Sequence, residues 1–474
     1  MTTFLVIVLL LAFLCGAELF AVMIVAAAVG ATTLAVSGST FDEQFYGMVV
    51  SMFGVGTGEQ ATVLSTIPMF IYAGYVLAEA KTADRLVRFA NALVGWFPGG
   101  LAIVAINTCA LFTTFTGASG VTIVALGGVL MPALIKNGYP KKFSMGMIAG
   151  TGSVGLLFPP ALPLFIYGTI YGLTQVGDSE AAAAWDTQRF IFAGIVPGML
   201  LVAALSLVAI VVAWKLPRQK FVLRELGASF VQALPELFIP FGVIAGLASG
   251  FALPEVASLT VVYVILLEFG ILKYVLPVLA AILAFNMVRE GRVSGAVFAA
   301  VALGGLFALV HFARIPRTRW SVLWTVSKEA FVMVGAIFVI ILCSTVFTNY
   351  IVTADVPSKL VAWATQYVDS KILFLLVLNL MLLLVGMIMD IFSAIVIVLP
   401  LIVPISKYYG VDPYHLGVVF LLNLEVGYLT PPVGLNLFIT SIKFQVPVLE
   451  VMRSTLPFLI TMIVVLAIVT YVPS

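Results

Sequence analysis

Two pairs of adjacent prolines are the residues whose type and setting most directly suggest binding chemistry. They end the similar runs VGLLFPP (154–160) and VGYLTPP (426–432), which lie in apolar segments. Proline has no backbone N–H and its ring clashes with the preceding turn, so two in succession break a helix and leave backbone groups unpaired. Free carbonyls suit Na⁺, and free N–H groups at a helix N-terminus suit a carboxylate. The runs therefore predict ion and substrate binding; the simpler alternative is a kink or a loop end.

Small and polar residues beside the breaks could complete the binding sites. Gly155 and Gly427 would allow an unwound backbone. Oxygen or amide groups would come from four nearby side chains: Ser153, Asn423, Thr430 and Asn436. Asp390 adds a carboxylate inside an apolar run, where a charge is costly and a functional role is the default interpretation. The alternative for Asp390 is that it caps the helix that follows it.

The remaining ionisable residues suggest less. Glu425 either lines the same cavity or pairs with a neighbour. Three glutamates near the ends of apolar segments are expected at the membrane interface: Glu18, Glu255 and Glu268. The lone histidines His311 and His415 also lie near segment ends, and we expect no binding role for them.

The composition indicates the solvent in which these residues act. Of the 474 residues, 62% are hydrophobic and 9% are charged, against about 45–50% and about 25% in ordinary soluble domains. A soluble protein of this length could not bury so much apolar surface, which excludes soluble enzymes, nucleic-acid binders and disordered chains. The net charge of +2 indicates no polyanionic partner. The expected surroundings are a lipid bilayer.

No motif indicates catalysis or an organic cofactor. G-x-G-x-x-G occurs at 150–155, but it means dinucleotide binding only after a strand in a βαβ unit, and here it precedes Pro-Pro in an apolar segment. The P-loop, H-E-x-x-H and G-x-S-x-G patterns are absent from the sequence. Cys15, Cys109 and Cys343 are isolated and predict neither a metal site nor a disulfide framework. We expect a protein that is not an enzyme.

Apolar stretches and basic loops predict the topology. Eight segments qualify or nearly qualify as membrane spans: 2–16, 18–37, 64–80, 190–214, 235–249, 255–272, 328–350 and 448–472. We place 17 of the 23 Lys and Arg residues on the cytoplasmic side. The stretch 98–135 then enters and leaves from the cytoplasmic side, and the stretch 371–406 enters and leaves from the outside. Each is either two full spans or a re-entrant hairpin. The small and polar residues Thr116–Gly120 and Gly386–Asp390 favour hairpin tips that are buried in protein.

The two halves of the chain contain an internal repeat. The two Pro-Pro runs match at five of seven positions, and the offset that aligns them also pairs Pro132 with Pro404 and Gly138 with Gly410. Two similar units of opposite orientation are typical of secondary transporters with inverted repeats. The alternative is chance similarity of apolar segments, which is harder to obtain with matched Gly and Pro.

These motifs resemble the large membrane subunit of TRAP (tripartite ATP-independent periplasmic) transporters. The resemblance rests on runs such as MPALIKNGYPKKF, GSVGLLFPPALPLFIYG, GMIMDIFSAIVIVLPLIVPI and YYGVDPYHLGVVFLLNLEVGYLTPPVGLNLFITS, and with the connecting spans it covers nearly the whole chain except 274–317. It implies a Na⁺-coupled, elevator-type importer of organic acids in the bacterial inner membrane. It also implies a periplasmic substrate-binding protein and a small four-helix membrane subunit, expected as a separate chain. A stand-alone Na⁺/dicarboxylate symporter is the alternative.

The motifs and the resemblance together assign a candidate site. Ion and substrate binding is expected at Thr116, Gly117, Ser119, Gly120, Thr122, Gly152, Ser153, Gly155, Pro159, Pro160, Gly386, Asp390, Asn423, Gly427, Thr430, Pro431, Pro432 and Asn436. Within this set, Na⁺ is expected at Ser119, Gly155, Asp390 and Thr430. Many family members have Ala-Asp just after the first tip, whereas this chain has Thr122 in place of the acid. The number of Na⁺ ions bound is therefore left open.

The expected fold is an all-α polytopic membrane protein with two inverted repeats, each a re-entrant hairpin plus a Pro-Pro-broken helix. In chain order it comprises N-terminal scaffold helices (1–63), the first repeat (64–175, with hairpin 98–135 and broken helix 142–175), scaffold helices (176–272), an inserted apolar hairpin (274–317), scaffold helices (328–370), the core of the second repeat (371–442, with hairpin 371–406 and broken helix 413–442) and a C-terminal helix (443–474). Both termini are predicted to be periplasmic.

Overall fold

The computed structural model describes residues 19–35, 46–47, 49–50, 58–79, 82–175, 185–214, 222–271, 320–431 and 434–472. Helices joined by turns make up this part of the chain. The first predicted span (2–16), the predicted insertion (274–317) and Pro432 lie outside the described residues, as do Cys15, Glu18 and His311.

The helices fall into two series along the chain. The first series is α1 (Leu19–Ala35), α2 (Gly58–Glu79), α3 (Thr82–Val94), α4 (Gly100–Thr116), α5 (Ser119–Lys136), α6 (Lys141–Thr151), a 3₁₀ turn (Val154–Leu157), α7 (Leu162–Thr174), α8 (Thr187–Ala193), α9 (Ile195–Ala213), α10 (Leu223–Ala248) and α11 (Leu253–Glu268). The second is α12 (Trp320–Thr353), α13 (Val356–Ala364), α14 (Lys371–Ile388), α15 (Ile391–Tyr408), α16 (Pro413–Gly427), α17 (Leu435–Phe444) and α18 (Val448–Tyr471).

Seven of the described helical segments are long and apolar enough to cross a membrane. They are Ser119–Lys136, Thr187–Ala213, Leu223–Ala248, Val322–Tyr350, Lys371–Ile388, Ile391–Tyr408 and Val448–Tyr471. An eighth is formed by Lys141–Leu157 together with Leu162–Thr174, which are bent by 45° at the break that contains the first Pro-Pro pair. Large apolar side chains such as Phe331 and Val332 face outward, as lipid contact requires. The prediction of an all-helical polytopic membrane protein is confirmed.

The helices pack in two groups. Helices α1, α2, α10, α11 and α12 contact one another and form what we call the outer group. The core group consists of the helices α4 to α9 and α14 to α18. Two short helices join the groups along the chain: α3 connects α2 to α4, and α13 connects α12 to α14. Helix α9, which lies in a predicted scaffold region, packs on α4 and α18 of the core group.

Equivalent helices recur at the offset found in the sequence. The offset that aligns the two Pro-Pro runs places both ends of α5 on the ends of α15, and the last residue of α4 on the last residue of α14. The second half of each broken helix packs on the other repeat. Helix α7 packs on α15 of the second repeat, and α17 packs on α5 and α6 of the first. The two hairpins and the two breaks therefore share one buried core.

Candidate functional site

The first hairpin turns at two residues. Helix α4 ends at Thr116, and Gly117 follows with φ 63°, a conformation that favours glycine. Ala118 is extended and is the N-cap of α5, but it offers no side-chain hydrogen bond to that helix. A Cβ atom on Gly117 would lie 2.7 Å from Cβ of Leu162, the first residue of α7. The tip therefore packs against the helix that begins after the first Pro-Pro pair.

Two threonines of α4 bind the backbone of the first break. The Thr113 hydroxyl lies 2.8 Å from the Gly152 carbonyl and 2.6 Å from the Thr122 hydroxyl. The Thr114 hydroxyl donates to the Gly155 carbonyl at 3.0 Å. Thr113, Thr114 and Thr122 are all buried. The hairpin and the break are thus joined by hydroxyl and carbonyl oxygens without a formal charge.

More oxygens than hydroxyl protons meet at Thr113. Its hydroxyl has one proton but lies 2.8 Å from both the Cys109 and the Gly152 carbonyls, so it can donate to only one of them. The hydroxyl of Ser153, the residue after Gly152, is fully buried and has no hydrogen-bond partner among the described residues. Such a cluster of neutral oxygens fits a hard monovalent cation. Three predicted site residues near this cluster in the sequence are also buried: Ser119, Pro159 and Pro160. The peptide bond between the two prolines is cis.

The second hairpin uses a carboxylate where the first has alanine. Asp390 is the N-cap of α15, and its Oδ2 accepts hydrogen bonds from the backbone N–H groups of Phe392 and Ser393 at 3.0 and 3.1 Å. The Ser393 hydroxyl donates to the other carboxylate oxygen. Asp390 therefore makes the contacts expected of a helix cap. Its side chain remains half-exposed at the tip.

The second break is tied to this tip through backbone and tyrosine contacts. The Tyr428 hydroxyl accepts a hydrogen bond from Ile391 N at 2.6 Å, and Gly434 N donates to the Met387 carbonyl at 3.2 Å. The Thr430 hydroxyl donates to the Val426 carbonyl at 2.9 Å within its own helix. Residues 432–433 lie outside the described part, and Pro431 is half-buried.

Matched glycines allow each break to touch its own hairpin. A Cβ atom on Gly155 would lie 2.1 Å from the Ala110 carbonyl oxygen of α4, and one on Gly427 would lie 2.6 Å from Gly386 Cα of α14. Backbone atoms cannot move aside as a side chain can, so both positions require glycine. Gly386 and Gly427, which were both predicted as site residues, are therefore in contact.

Two predicted asparagines lie in different surroundings. Asn436 is the second residue of α17, is fully buried, and donates to the Ala149 carbonyl of α6 at 3.2 Å. It therefore links the second break to the first repeat. Asn423 instead donates to Asn379 of α14 at 2.7 Å, and Asn379 in turn donates to Thr470 of α18. Asn423 is part of this interhelical chain.

The glutamates and the histidine also have assigned surroundings. Glu425 is fully buried and neither of its oxygens has a hydrogen-bond partner among the described residues, so it does not pair with a neighbour there. Glu268 was expected at the membrane interface but is buried against Arg85. His415 is buried with Nε2 3.1 Å from the Thr470 carbonyl.

Sequence reasoning missed Thr113, Thr114 and Tyr428. The signal for the threonines was present, because two adjacent hydroxyl residues stand one turn before the tip in an otherwise apolar run. Tyr428 lies inside the VGYLTPP run, but its contact with Ile391 spans 37 positions and no spacing rule connects them.

Helical spans, paired hairpins and broken helices whose polar groups meet in a buried core define a multi-pass membrane transporter. Its fold is similar to that of the YdaH transporter of Alcanivorax borkumensis, with a TM-score of 0.57 and 13% identity over 90% of this chain and 87% of that one. The family model "Tripartite ATP-independent periplasmic transporter, DctM component" matches residues 5–343 and 312–474. The chain belongs to this family.

Curated relatives agree with the family model. The C4-dicarboxylate TRAP transporter large permease protein DctM of Pseudomonas aeruginosa is 32% identical over 88% of this chain and 86% of its own length. The isethionate TRAP transporter permease protein DctMQ of Oleidesulfovibrio alaskensis is 28% identical over 87% of this chain and 57% of its own length. The chain is a permease and not an enzyme. Permeases of this family work with a periplasmic binding protein and a small membrane subunit.

Proposed function

We propose that this permease imports an organic acid, a dicarboxylate or a related carboxylate, across the bacterial inner membrane by coupling its movement to Na⁺. The coupling ion would bind where the first hairpin meets the first break, and the substrate between the two tips. Both termini would be periplasmic. Family membership does not favour a stand-alone symporter, because a tripartite transporter requires two further components.

The observation that supports Na⁺ most directly is the cluster of oxygens around Thr113. Two carbonyls and the Thr122 hydroxyl lie within 2.8 Å of its hydroxyl oxygen, and the buried Ser153 hydroxyl has no partner in the described residues. A cation at this junction would satisfy acceptor lone pairs that the available protons cannot. Gly155, Ser119, Asp390 and Thr430 remain the other proposed contacts of the ion.

The substrate class is inferred from charge. The N-terminus of α5 has no side-chain cap, so its N–H groups and helix dipole favour a carboxylate nearby. The relatives differ in substrate, since one is named for C4-dicarboxylates and another for isethionate. An acidic group is common to both names, and we propose the same feature for the substrate here.

Reconstitution tests the coupling. The permease, its small subunit and the binding protein are placed in liposomes, and uptake of radiolabelled dicarboxylates is followed with an inward Na⁺ gradient. We expect uptake that requires all three proteins and stops when choline replaces Na⁺. Uptake that is the same in choline would overturn the Na⁺ proposal, and uptake by the permease alone would support a stand-alone symporter.

We propose further that the core group moves against the outer group as an elevator, within two inverted repeats. Phe70 of α2 and Phe165 of α7 stack across the boundary between the groups with ring centroids 5.2 Å apart. In a background without the three native cysteines, a short thiol-specific reagent that bridges Phe70→Cys and Phe165→Cys should reduce uptake to background. Reduction of a cleavable bridge should restore it.

A pair inside the core group provides the control for this experiment. Phe143 of α6 and Phe458 of α18 have ring centroids 5.4 Å apart, and bridging cysteines at these positions should leave uptake unchanged if the core moves as one unit. Continued uptake with the 70–165 pair bridged would contradict the elevator proposal.

A further inference from the structure

A buried charged cluster lies where the short helix α3 packs on α10 and α11. Nε of Arg85 is 2.5 Å from Oε1 of Glu236, and Nη2 of Arg85 is 2.8 Å from Oε1 of Glu268. The Thr82 hydroxyl donates to the same Glu268 oxygen at 3.2 Å. The relative exposure of Arg85, Glu236 and Glu268 is 8%, 1% and 0%. The cluster therefore joins three helices and is almost completely shielded from solvent.

The charges of this cluster do not balance if both acids are ionised. Arginine stays protonated in proteins, so one positive charge faces two negative charges. Removing an ion from water costs several kcal/mol even after relaxation, and attraction repays this only when the ion is well paired. Two carboxylates that share one site also oppose each other's ionisation. One further positive charge would remove the imbalance.

The unused oxygens show where that charge could reside. Oε2 of Glu236 and Oε2 of Glu268 are buried and have no hydrogen-bond partner among the described residues. A metal ion would need several more oxygens, but the nearby Tyr263 hydroxyl is committed to the Pro235 carbonyl at 3.0 Å. Of the described hydroxyl groups, only that of Thr82 bonds to either acid. This leaves room for a proton rather than for a coordinated metal.

We propose that the cluster binds one proton, held on Glu236 or Glu268, so that the buried attachment of α3 carries no net charge. Helix α3 is the segment that leads from α2 into the first hairpin, so the proton would contribute to fixing the start of that hairpin on α10 and α11. The proposal depends on charge and burial at this cluster alone and does not depend on the substrate or the coupling ion.

Other ionisable groups on the packed helices do not supply the missing charge. Among the side chains that the structure describes on α2, α3, α10 and α11, these groups are Arg88 on α3, Arg224 and Glu225 on α10, Glu255 and Tyr263 on α11, and Tyr72, Tyr75 and Glu79 on α2. Arg88 is exposed and donates to Gln232 at 3.2 Å, and Glu255 is bonded to the N-terminus of its own helix. Within the described part of the chain, Arg85 is the cation that pairs with either carboxylate.

Infrared spectroscopy of the purified permease in lipid tests the proposal, because the C=O band of a protonated carboxyl is separate from the bands of an ionised carboxylate. Glu236→Gln and Glu268→Gln each leave one acid paired with Arg85 and ionised. Each variant should therefore lose one protonated-carboxyl band that the parent protein shows. A background with Glu425→Gln removes the contribution of the other carboxyl that is buried among the described residues.

The controls make either result decisive. Glu255→Gln changes an exposed acid on the same helix as Glu268 and should leave the protonated-carboxyl band unchanged. The thermal unfolding temperature shows that each variant is folded, and either variant alone is sufficient. Retention of the parent band in a folded Glu236→Gln or Glu268→Gln protein would overturn the proposal. A carboxylate band that shifts when Na⁺ is removed, and is lost in both variants, would also overturn it and indicate a metal ion.

Discussion

The two hairpin tips occupy matching positions but use different polar groups. Ala118 and Asp390 are the N-caps of the equivalent helices α5 and α15, and only Asp390 binds the N–H groups of its helix through its side chain. At the first tip, hydroxyls of Thr113 and Thr122 meet backbone carbonyls instead. Two copies of one architecture thus provide a neutral, oxygen-rich junction and a carboxylate-capped junction.

We propose that this difference makes the first junction more important for binding than the second. Where the cap is missing, the N–H groups of α5 would be available to an anion, and the adjacent neutral oxygens form the cation site proposed above. Where Asp390 is present, its charge offsets the helix dipole, so less of that charge is left for an ion. We expect substitutions to affect the first junction more than the second.

The largest effects should follow from filling the glycine contacts. Gly155→Ala places a Cβ atom 2.1 Å from a backbone oxygen, and Gly427→Ala places one 2.6 Å from a backbone carbon. Overpacking typically costs about 1–3 kcal/mol, and we expect Gly155→Ala to reach or exceed the top of this range and to abolish uptake. Gly427→Ala should cost less. Thermal unfolding in detergent and liposome uptake measure both.

A glycine in open surroundings provides the control. Gly128 in α5 has only the Lys443 side chain near its added Cβ, at 3.6 Å. Gly128→Ala should be neutral, or stabilising by up to about 1 kcal/mol through helix propensity. A Gly427→Ala protein that is less stable than Gly155→Ala would reverse the expected order of the two breaks.

The sequence predicted the arrangement of elements better than it predicted the contacts. Matched Gly and Pro at one offset are local features, and they anticipate helices that begin at Ser119 and Ile391. The bond between Arg85 and Glu268 spans 183 positions, and no periodicity or motif connects the two residues. The prediction of Glu268 at the membrane interface was wrong for this reason. The sequence shows that Glu268 lies near the end of an apolar segment, but not that another helix covers that end.

The next largest effect should come from Thr113→Val, which keeps the shape of the side chain and removes its hydroxyl. The Gly152 carbonyl and the Thr122 hydroxyl would both lose a buried partner, at a cost of about 1–3 kcal/mol. If Na⁺ binds here, the Na⁺ concentration that gives half-maximal uptake should rise about tenfold or more. Uptake as a function of Na⁺ measures this.

Thr169→Val is the matched control for the first junction. Thr169 is buried in α7, and its hydroxyl bonds, within the described part of the chain, only to the Phe165 carbonyl of its own helix. Its replacement should cost less stability and should leave the Na⁺ dependence unchanged. An unaltered Na⁺ dependence in Thr113→Val would remove the main support for an ion at the first tip.

Asp390 allows capping and charge to be separated. Asp390→Ala loses the cap of α15, which should cost about 0.5–2 kcal/mol, whereas asparagine caps helices about as well as aspartate. Asp390→Asn should therefore keep its unfolding temperature. If the charge contributes to ion binding, both variants should need more Na⁺ for uptake. A normal Na⁺ dependence in Asp390→Asn would assign Asp390 to capping alone.

The smallest effect should come from Tyr428→Phe, which removes the acceptor of the Ile391 N–H at the second tip. The loss of one neutral hydrogen bond costs about 0.5–1.5 kcal/mol. Tyr409→Phe is the matched control, because the Tyr409 hydroxyl donates to the Val368 carbonyl at 2.7 Å at the opposite end of the same hairpin. We expect similar losses in unfolding temperature but lower uptake only for Tyr428→Phe, since, of the two tyrosine bonds, the one made by Tyr428 joins the tip to its break. Equal uptake in the two variants would mean that the second tip needs no such attachment, and that the contrast between the junctions lies in Asp390 alone.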